Sequence, residues 1–161
     1  MKKYTRLLRI LLWVLVLTWM AVIFCFSMEN ADESSSTSGA VIRWLLERFD
    51  KTFPALSPEE QFAEIEAWSF AVRKLAHFLV FAVLGFLSAA ASSVDLGAKE
   101  AFLTALAIGI VYAASDEIHQ AFVPGRACQF RDVLIDSSGV LLGAGFLILL
   151  RRLRARSKAG R

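Results

Sequence analysis

The chain has 161 residues, of which 57% are hydrophobic and 20% are charged, and its formal net charge is +3. A soluble domain of this length rarely carries so much apolar surface. The apolar residues are also gathered in blocks rather than spread along the chain. Composition therefore excludes an ordinary soluble domain and indicates an integral membrane protein.

Four long apolar blocks predict an all-α fold, because a bilayer-spanning helix needs about 20 mainly apolar residues. We expect a four-transmembrane-helix bundle, a single membrane domain over residues 1–161, with an external amphipathic segment between the first two spans. The predicted spans cover roughly 8–27, 75–94, 100–118 and 133–151, and the external loop covers 28–72. The last two blocks are short unless Asp116 or Asp136 packs between helices or lies among headgroups. The first block is alternatively a cleaved signal peptide, but its length and the lack of a small-x-small site favour a retained helix.

Both ends of the chain are basic, which sets the predicted orientation. The cations before the first span and after the last are Lys2, Lys3, Arg6, Arg9, Arg151, Arg152, Arg154, Arg156, Lys158 and Arg161. Positive flanks stay on the cytoplasmic side, so we expect a multi-pass cell-membrane protein with cytoplasmic N- and C-termini and an external acidic segment. The basic tail directly follows a span, which favours contact with anionic lipid over nucleic acid. No nucleic-acid partner is expected.

The segment between the first two spans divides into three parts. Residues 30–39 are rich in Ser and acids without apolar periodicity, which predicts an external loop. From Val41 the apolar residues recur at helical spacing. This predicts a short amphipathic helix, either on the outer leaflet with Trp44 at headgroup depth or as a lid on the bundle. Ser57-Pro58-Glu59-Glu60 then predicts a capped helix start, and that helix runs towards Arg73 with or without a bend.

Three groups of polar residues, in 73–78, 116–120 and 123–136, border the spans, and we expect all of them at the external surface. Residues three and four apart share a helix face, so each group forms a stripe that can turn inward. Ionisable residues within membranes tend to face the bundle interior and pair with one another. The predicted polar site consists of Arg73, Lys74, His77, Asp116, Glu117, His119, Gln120, Arg126, Arg131, Asp132 and Asp136.

Several chemistries suit these residues. Arg126 and Arg131 match phosphate or carboxylate groups, or else form salt bridges to the nearby acids. Arg73 and Lys74 alternatively snorkel to the interface. The His and acidic residues are suitable metal ligands, but no HExxH or equivalent spacing is present, so no metal or cofactor is expected. No convincing nucleophile is present, and the catalytic residues, if there are any, stay unassigned.

Two further features concern packing and thiol chemistry. Gly139 and Gly143 lie one helical turn apart, a spacing that permits close helix packing. Cys25 and Cys128 both fall near the predicted external side, where a disulfide between them is one alternative. Two unpaired thiols are the simpler interpretation.

The ordered motifs R-K-L-A-H-F at 73–78, S-D-E-I-H-Q at 115–120, F-V-P-G-R at 122–126 and R-D-V-L-I-D-S-S-G at 131–139 resemble the VanZ-like family. The family's namesake is associated with resistance to the glycopeptide teicoplanin in Gram-positive bacteria. The resemblance marks Arg73, Lys74, His77, Glu117, Gln120, Pro124, Gly125, Arg126, Asp132, Asp136, Gly139 and Gly143. Two departures stand out: Val80 and Phe81 replace the Glu and Tyr of many members, and Asp136 replaces a frequent Asn.

The residues and the resemblance together predict a bacterial cell-envelope protein that affects teicoplanin susceptibility. Its expected partners are the lipid bilayer and an anionic lipid or lipid-linked cell-wall precursor. Arg73, Arg126 and Arg131 would hold the anionic groups, with Glu117, His77 and Asp136 fixing those cations. A membrane-embedded hydrolase or transferase acting on lipid-linked substrates is the alternative, with Glu117 or His77 as general base, so enzyme activity stays open. In a third interpretation the charges only hold the helices together.

Overall fold

The computed structural model describes the backbone of residues 2–159 and the side chains of 5–30 and 34–157. Over this range the regular elements are all helical: α1 Lys2–Ser27, α2 Ala31–Phe49, α3 Pro58–Ser92, α4 Ala98–Gln120 and α5 Phe130–Ala159, with a 3₁₀ turn at Phe53–Ala55. Helices α1, α3, α4 and α5 are long and apolar enough to cross a membrane. The predicted all-α class with four candidate spans is therefore confirmed.

The basic ends of α1 and α5 meet at one end of the bundle. Arg9 forms an ion pair with Asp95 in the turn between α3 and α4. Arg151 donates a hydrogen bond of 3.0 Å to the carbonyl of Ser93 in the same turn. Helix α2 and the loop 121–129 between α4 and α5 consequently lie at the opposite end.

Close contact between α3 and α5 forms the centre of the bundle. A Cβ added to Gly139 or Gly143 would overlap the backbone carbonyl of Phe78 or Ala82, respectively. The two helix backbones thus touch directly. Apolar side chains gain little by leaving lipid for a helix interface, so packing of small residues is a main source of association in a bilayer.

Helix α1 packs on the outside of this centre and is held by two polar contacts. The indole Nε1 of Trp19 donates to the carbonyl of Val80 at 2.8 Å. The hydroxyl of Tyr112 on α4 donates to the carbonyl of Met20 at 2.6 Å. These bonds fix α1 against both α3 and α4 along the bundle.

The prediction of a loop over residues 30–39 was wrong, because α2 begins at Ala31 and includes most of it. The hydroxyl of Ser38 donates to the carbonyl of Ser34 at 2.9 Å, and the Ser38 side chain is buried. Small side chains let α2 approach α3, and Gly39 lies against Ile65. Packing on α3 therefore outweighs the weak intrinsic helix propensity of this Ser-rich stretch.

Helix α3 is one uninterrupted helix of 35 residues, so the capped helix start and the second span belong to the same helix. The predicted capping box is present: Glu60 N–H donates to Ser57 Oγ at 3.3 Å, and Ser57 N–H donates to Glu60 Oε2 at 2.8 Å. At about 1.5 Å per residue, such a helix is longer than a hydrocarbon core of about 30 Å. Its first turns therefore extend past the bundle, where α2 packs antiparallel to them.

Substitution of Gly143 tests the contact between α3 and α5. Gly143→Ala should destabilise the protein by about 1–3 kcal/mol, because the added methyl group forces the two backbones apart. Gly145→Ala is the matched control, since nothing lies within 4 Å of its Cβ position. Thermal unfolding in detergent should show a lower Tm for Gly143→Ala only. Equal Tm values for the two variants would contradict the close contact.

Candidate functional site

The three transmembrane helices α3, α4 and α5 each contribute one polar stripe to a buried cluster at the α2 end of the bundle. We call this the polar cluster; its members are Lys74, His77, Asp116, Glu117, Gln120, Asp132 and Asp136. Among its carboxylates, Glu117 and Asp136 are 0% exposed and Asp116 is 3% exposed. Polar residues from the three groups in 73–78, 116–120 and 123–136 thus meet at one place inside the protein.

Contacts between α3 and α5 form one side of the polar cluster. Lys74 forms an ion pair with Asp132, and its ammonium lies 5.5 Å from the centre of the Phe70 ring. One turn further, Nδ1 of His77 lies 3.6 Å from Oδ1 of Asp136. Both contacts follow from spacing, since residues three to four apart on each helix face the same neighbour.

Acidic residues of α4 form the other side. Gln120 Nε2 donates to Oδ2 of Asp116 at 2.9 Å. The backbone N–H of Gln129 donates to Oε2 of Glu117 at 2.8 Å, which ties the end of the 121–129 loop to α4. Within that loop Gly125 has a φ of 76°, a conformation that glycine adopts without steric cost and other residues rarely adopt. Through its hydrogen bond with Gln129, Glu117 holds this loop over the polar cluster.

Five buried carboxylate oxygens of the polar cluster accept no hydrogen bond from the part of the chain that the structure describes. They are Oδ1 of Asp116, Oε1 of Glu117, Oδ1 of Asp132 and both oxygens of Asp136. A buried acceptor without a donor costs about 1–3 kcal/mol, and more when it is charged. The polar cluster therefore has spare capacity for a proton, a cation or a hydrogen-bond donor.

Two arginines lie beside the polar cluster at its α2 side. Arg73 donates to Oγ of Ser35 on α2 at 3.2 Å. The guanidinium of Arg126, in the loop, forms no ion pair or hydrogen bond with the described residues and is only partly exposed. Burial lowers the pKa of Arg126 from its ordinary value. An arginine nevertheless stays protonated in proteins, so Arg126 is an available cation.

Two cavities of about 240 Å³ each meet at these arginines. The first lies between α1, α2 and α3, and most of its wall is apolar, including Ile23, Phe26, Val41, Val72 and Val80. The second is more polar and is lined by loop and α5 residues, including Gln129 and Asp132. Both are lined by Ser34, Arg73, His77 and Arg126. The pair thus forms an apolar chamber and a polar chamber that share a cationic boundary.

Four residues of the predicted polar site lie outside the polar cluster: Arg73 and Arg126 lie beside it, and His119 and Arg131 pack on aromatic rings. The ring of His119 packs against Phe24 of α1 with a centroid distance of 4.6 Å. The guanidinium of Arg131 lies over the Phe70 ring at 4.8 Å. Neither Arg126 nor Arg131 forms a salt bridge with Asp132, Asp136 or Glu117 in the described structure, so the salt-bridge alternative is not observed for them. The expectation that Glu117, His77 and Asp136 fix the arginines stays a prediction.

Sequence reasoning missed the contribution of α2 and of Gln129. Ser34 lines both cavities and Ser35 accepts a hydrogen bond from Arg73. The only signal was a Ser-rich stretch, which is typical of a loop. Cys25 and Cys128 are both exposed free thiols, so the disulfide alternative does not hold.

The ion pair between Lys74 and Asp132 allows a stability test. Lys74→Met should destabilise the protein by about 1–3 kcal/mol, because it leaves the Asp132 carboxylate buried without its partner. The loss should be smaller than for a fully buried pair, since Lys74 is partly exposed and solvent screens its charge. Adding Asp132→Leu should restore part of the loss, as thermal unfolding in detergent would measure. The control is Arg9→Met, which breaks the exposed pair with Asp95 and should cost less than about 1 kcal/mol. Equal losses would show that the buried pair contributes no more than a surface pair.

Comparison with known proteins adds one finding. The family model described as VanZ/LLP1 matches residues 12–151. This range includes most of α1, the whole polar cluster and both cavities' lining residues. No curated protein matches the chain, and no solved structure does so either.

Proposed function

We propose that this chain, which belongs to the VanZ/LLP1 family, is a multi-pass protein of the bacterial cell membrane that binds anionic groups of envelope lipids or lipid-linked wall precursors. In this proposal both termini are cytoplasmic and the polar cluster faces outward. The basic residues around Arg9 and Arg151 at the opposite end of the bundle support that orientation.

The observation that carries the proposal is the junction of the two cavities at Arg73 and Arg126. A lipid or lipid-linked precursor has an apolar chain next to an anionic headgroup. The apolar chamber has walls suited to the chain, and the two guanidinium groups suit phosphate or carboxylate oxygens. Arg126 forms no ion pair with the described residues, and Asp116, Glu29 and Glu117 act on it only from beyond ion-pair distance, so its guanidinium has free donors for a ligand.

In the cell, this binding is expected to change susceptibility to teicoplanin. A protein that holds envelope lipids or wall precursors at the outer surface changes how those groups are exposed to a lipoglycopeptide. The resemblance to the VanZ-like family supports this direction.

Lipid binding by the purified full-length chain tests the proposal. Phosphatidylglycerol and phosphatidylcholine are the anionic and zwitterionic probes, and retention is measured by native mass spectrometry from detergent. Arg126→Ala should weaken phosphatidylglycerol binding roughly 10-fold or more, since a charged hydrogen bond contributes about 1.5–3 kcal/mol. Arg48→Ala is the control, because Arg48 is an exposed cation of α2 outside both cavities. Equal retention of the two lipids by the wild type would contradict the proposal.

Susceptibility of a teicoplanin-sensitive Gram-positive host tests the cellular role. Wild type, Arg126→Ala, Glu117→Gln, Arg48→Ala and empty vector are compared at matched membrane abundance. We expect wild type and Arg48→Ala to raise the inhibitory concentration and Arg126→Ala to lose the effect. Glu117→Gln should lose part of it, because the side chain that holds the loop over the polar cluster loses its charge. If all five strains respond alike, the role in teicoplanin susceptibility is abandoned.

A hydrolase or transferase acting on lipid-linked substrates is the second candidate function. The observation that favours it is His77, which lines both cavities beside Arg126 and lies 3.6 Å from a buried carboxylate of Asp136. A histidine oriented by a carboxylate is a suitable general base, and Arg126 would stabilise developing negative charge. Release of phosphate from an isoprenyl diphosphate by the wild type, lost in His77→Gln and kept in His119→Gln, would support this function. No release by the wild type would count against it.

A further inference from the structure

We propose that His77, Asp116 and Asp136 form a binding site for one divalent transition-metal cation, Zn²⁺ or Mn²⁺. The three residues come from α3, α4 and α5, one from each helix. One ligand atom from each lies within 4.8 Å of both others. No pair of them is close in sequence, so the site exists only in the folded bundle.

The distances between these atoms fit a metal centre. Oxygen and nitrogen ligands lie about 2.0–2.2 Å from zinc, which places neighbouring ligand atoms roughly 3–3.5 Å apart. Nδ1 of His77 is already 3.6 Å from Oδ1 of Asp136. The three ligand atoms, now within 4.8 Å of one another, would therefore need to approach by at most about 2 Å to surround one ion.

The buried carboxylates give an independent reason for a cation. Asp136 is 0% exposed, and neither of its oxygens accepts a hydrogen bond from the described residues. Oδ1 of Asp116 and Nδ1 of His77 also lack hydrogen-bond partners there. Buried carboxylate oxygens without hydrogen bonds are strongly unfavourable, and such groups are normally hydrogen-bonded or coordinate a metal. The ammonium of Lys74 pairs with Asp132 instead. The imidazole of His77 lies 3.6 Å from Asp136, too far for a hydrogen bond.

The mixed ligand set selects the class of metal. Imidazole suits Zn²⁺ and related transition metals, carboxylates suit Mn²⁺ as well, and Mg²⁺ and Ca²⁺ prefer oxygen ligands alone. Three protein ligands leave at least one coordination position open. His77 lines the polar chamber beside Arg126, so the open coordination position would face the polar chamber.

Metal content of the purified full-length chain tests the site. All variants carry Cys25→Ser and Cys128→Ser, because exposed thiols can bind zinc by themselves. After removal of metal with EDTA and reloading with Zn²⁺ or Mn²⁺ alone, mass spectrometry gives the metal bound per chain. The parent should bind one ion, and His77→Gln, Asp116→Asn and Asp136→Asn should each weaken binding by at least about 100-fold, the upper range for loss of an outer-sphere partner.

Two matched controls separate loss of metal coordination from the loss of any histidine or any carboxylate. His119→Gln removes the other histidine, which packs on Phe24. Asp95→Asn removes a carboxylate at the opposite end of the bundle, where it pairs with Arg9. Both should bind metal like the parent. If either control loses metal as strongly as His77→Gln, the assignment to these three residues is overturned.

Thermal unfolding of the parent gives a second readout that needs no variant at the site. Zn²⁺ or Mn²⁺ should raise the Tm of the EDTA-treated parent, because an ion that binds only the folded state stabilises it. A parent that binds neither ion and shows no rise in Tm would falsify the site. Both readouts concern the protein alone, so their failure leaves the lipid-binding role standing, and failure of lipid binding leaves the metal site standing.

Discussion

Direct backbone contact between α3 and α5 is the constraint on which the rest of the structure depends. Gly139 and Gly143 leave room for the carbonyls of Phe78 and Ala82. That approach fixes both the distance and the rotation of the two helices. Lys74 and His77 are consequently aligned with Asp132 and Asp136, two ion-pair contacts one helical turn apart. The polar cluster is therefore a result of close packing along the same interface.

The carboxylates of the polar cluster have different tasks despite their similar chemistry. Asp132 neutralises Lys74, and Glu117 holds the 121–129 loop through the Gln129 amide. Each of them, and Asp116 as well, has one oxygen that accepts no hydrogen bond from the described residues, and Asp136 has two. Groups that only stabilise a bundle are usually saturated with hydrogen bonds. The oxygens without a hydrogen bond are the observation on which the proposed metal site rests.

Helix α2 gives the cavities their outer wall. It packs antiparallel to the first turns of α3, with Arg43 donating to Oε1 of Gln61 at 3.0 Å and Ser35 accepting from Arg73. Trp44 and Phe49 of α2 stay exposed. Exposed aromatic residues beside a membrane bundle are typical of the membrane interface. The apolar chamber lies between this helix, α1 and α3.

Sequence by itself determined the number of membrane helices, the helix start at Ser57 and the residue types at the polar end of each helix. These follow from local rules: apolar length, a capping box and spacing on one helix face. Sequence did not determine that residues 31–39 are helical, because packing of small side chains on α3 decides it. Nor did it separate His77, which faces Asp136, from His119, which faces Phe24. The partner of each side chain depends on how the helices are rotated about their axes, and that rotation is set only when the backbones of α3 and α5 meet.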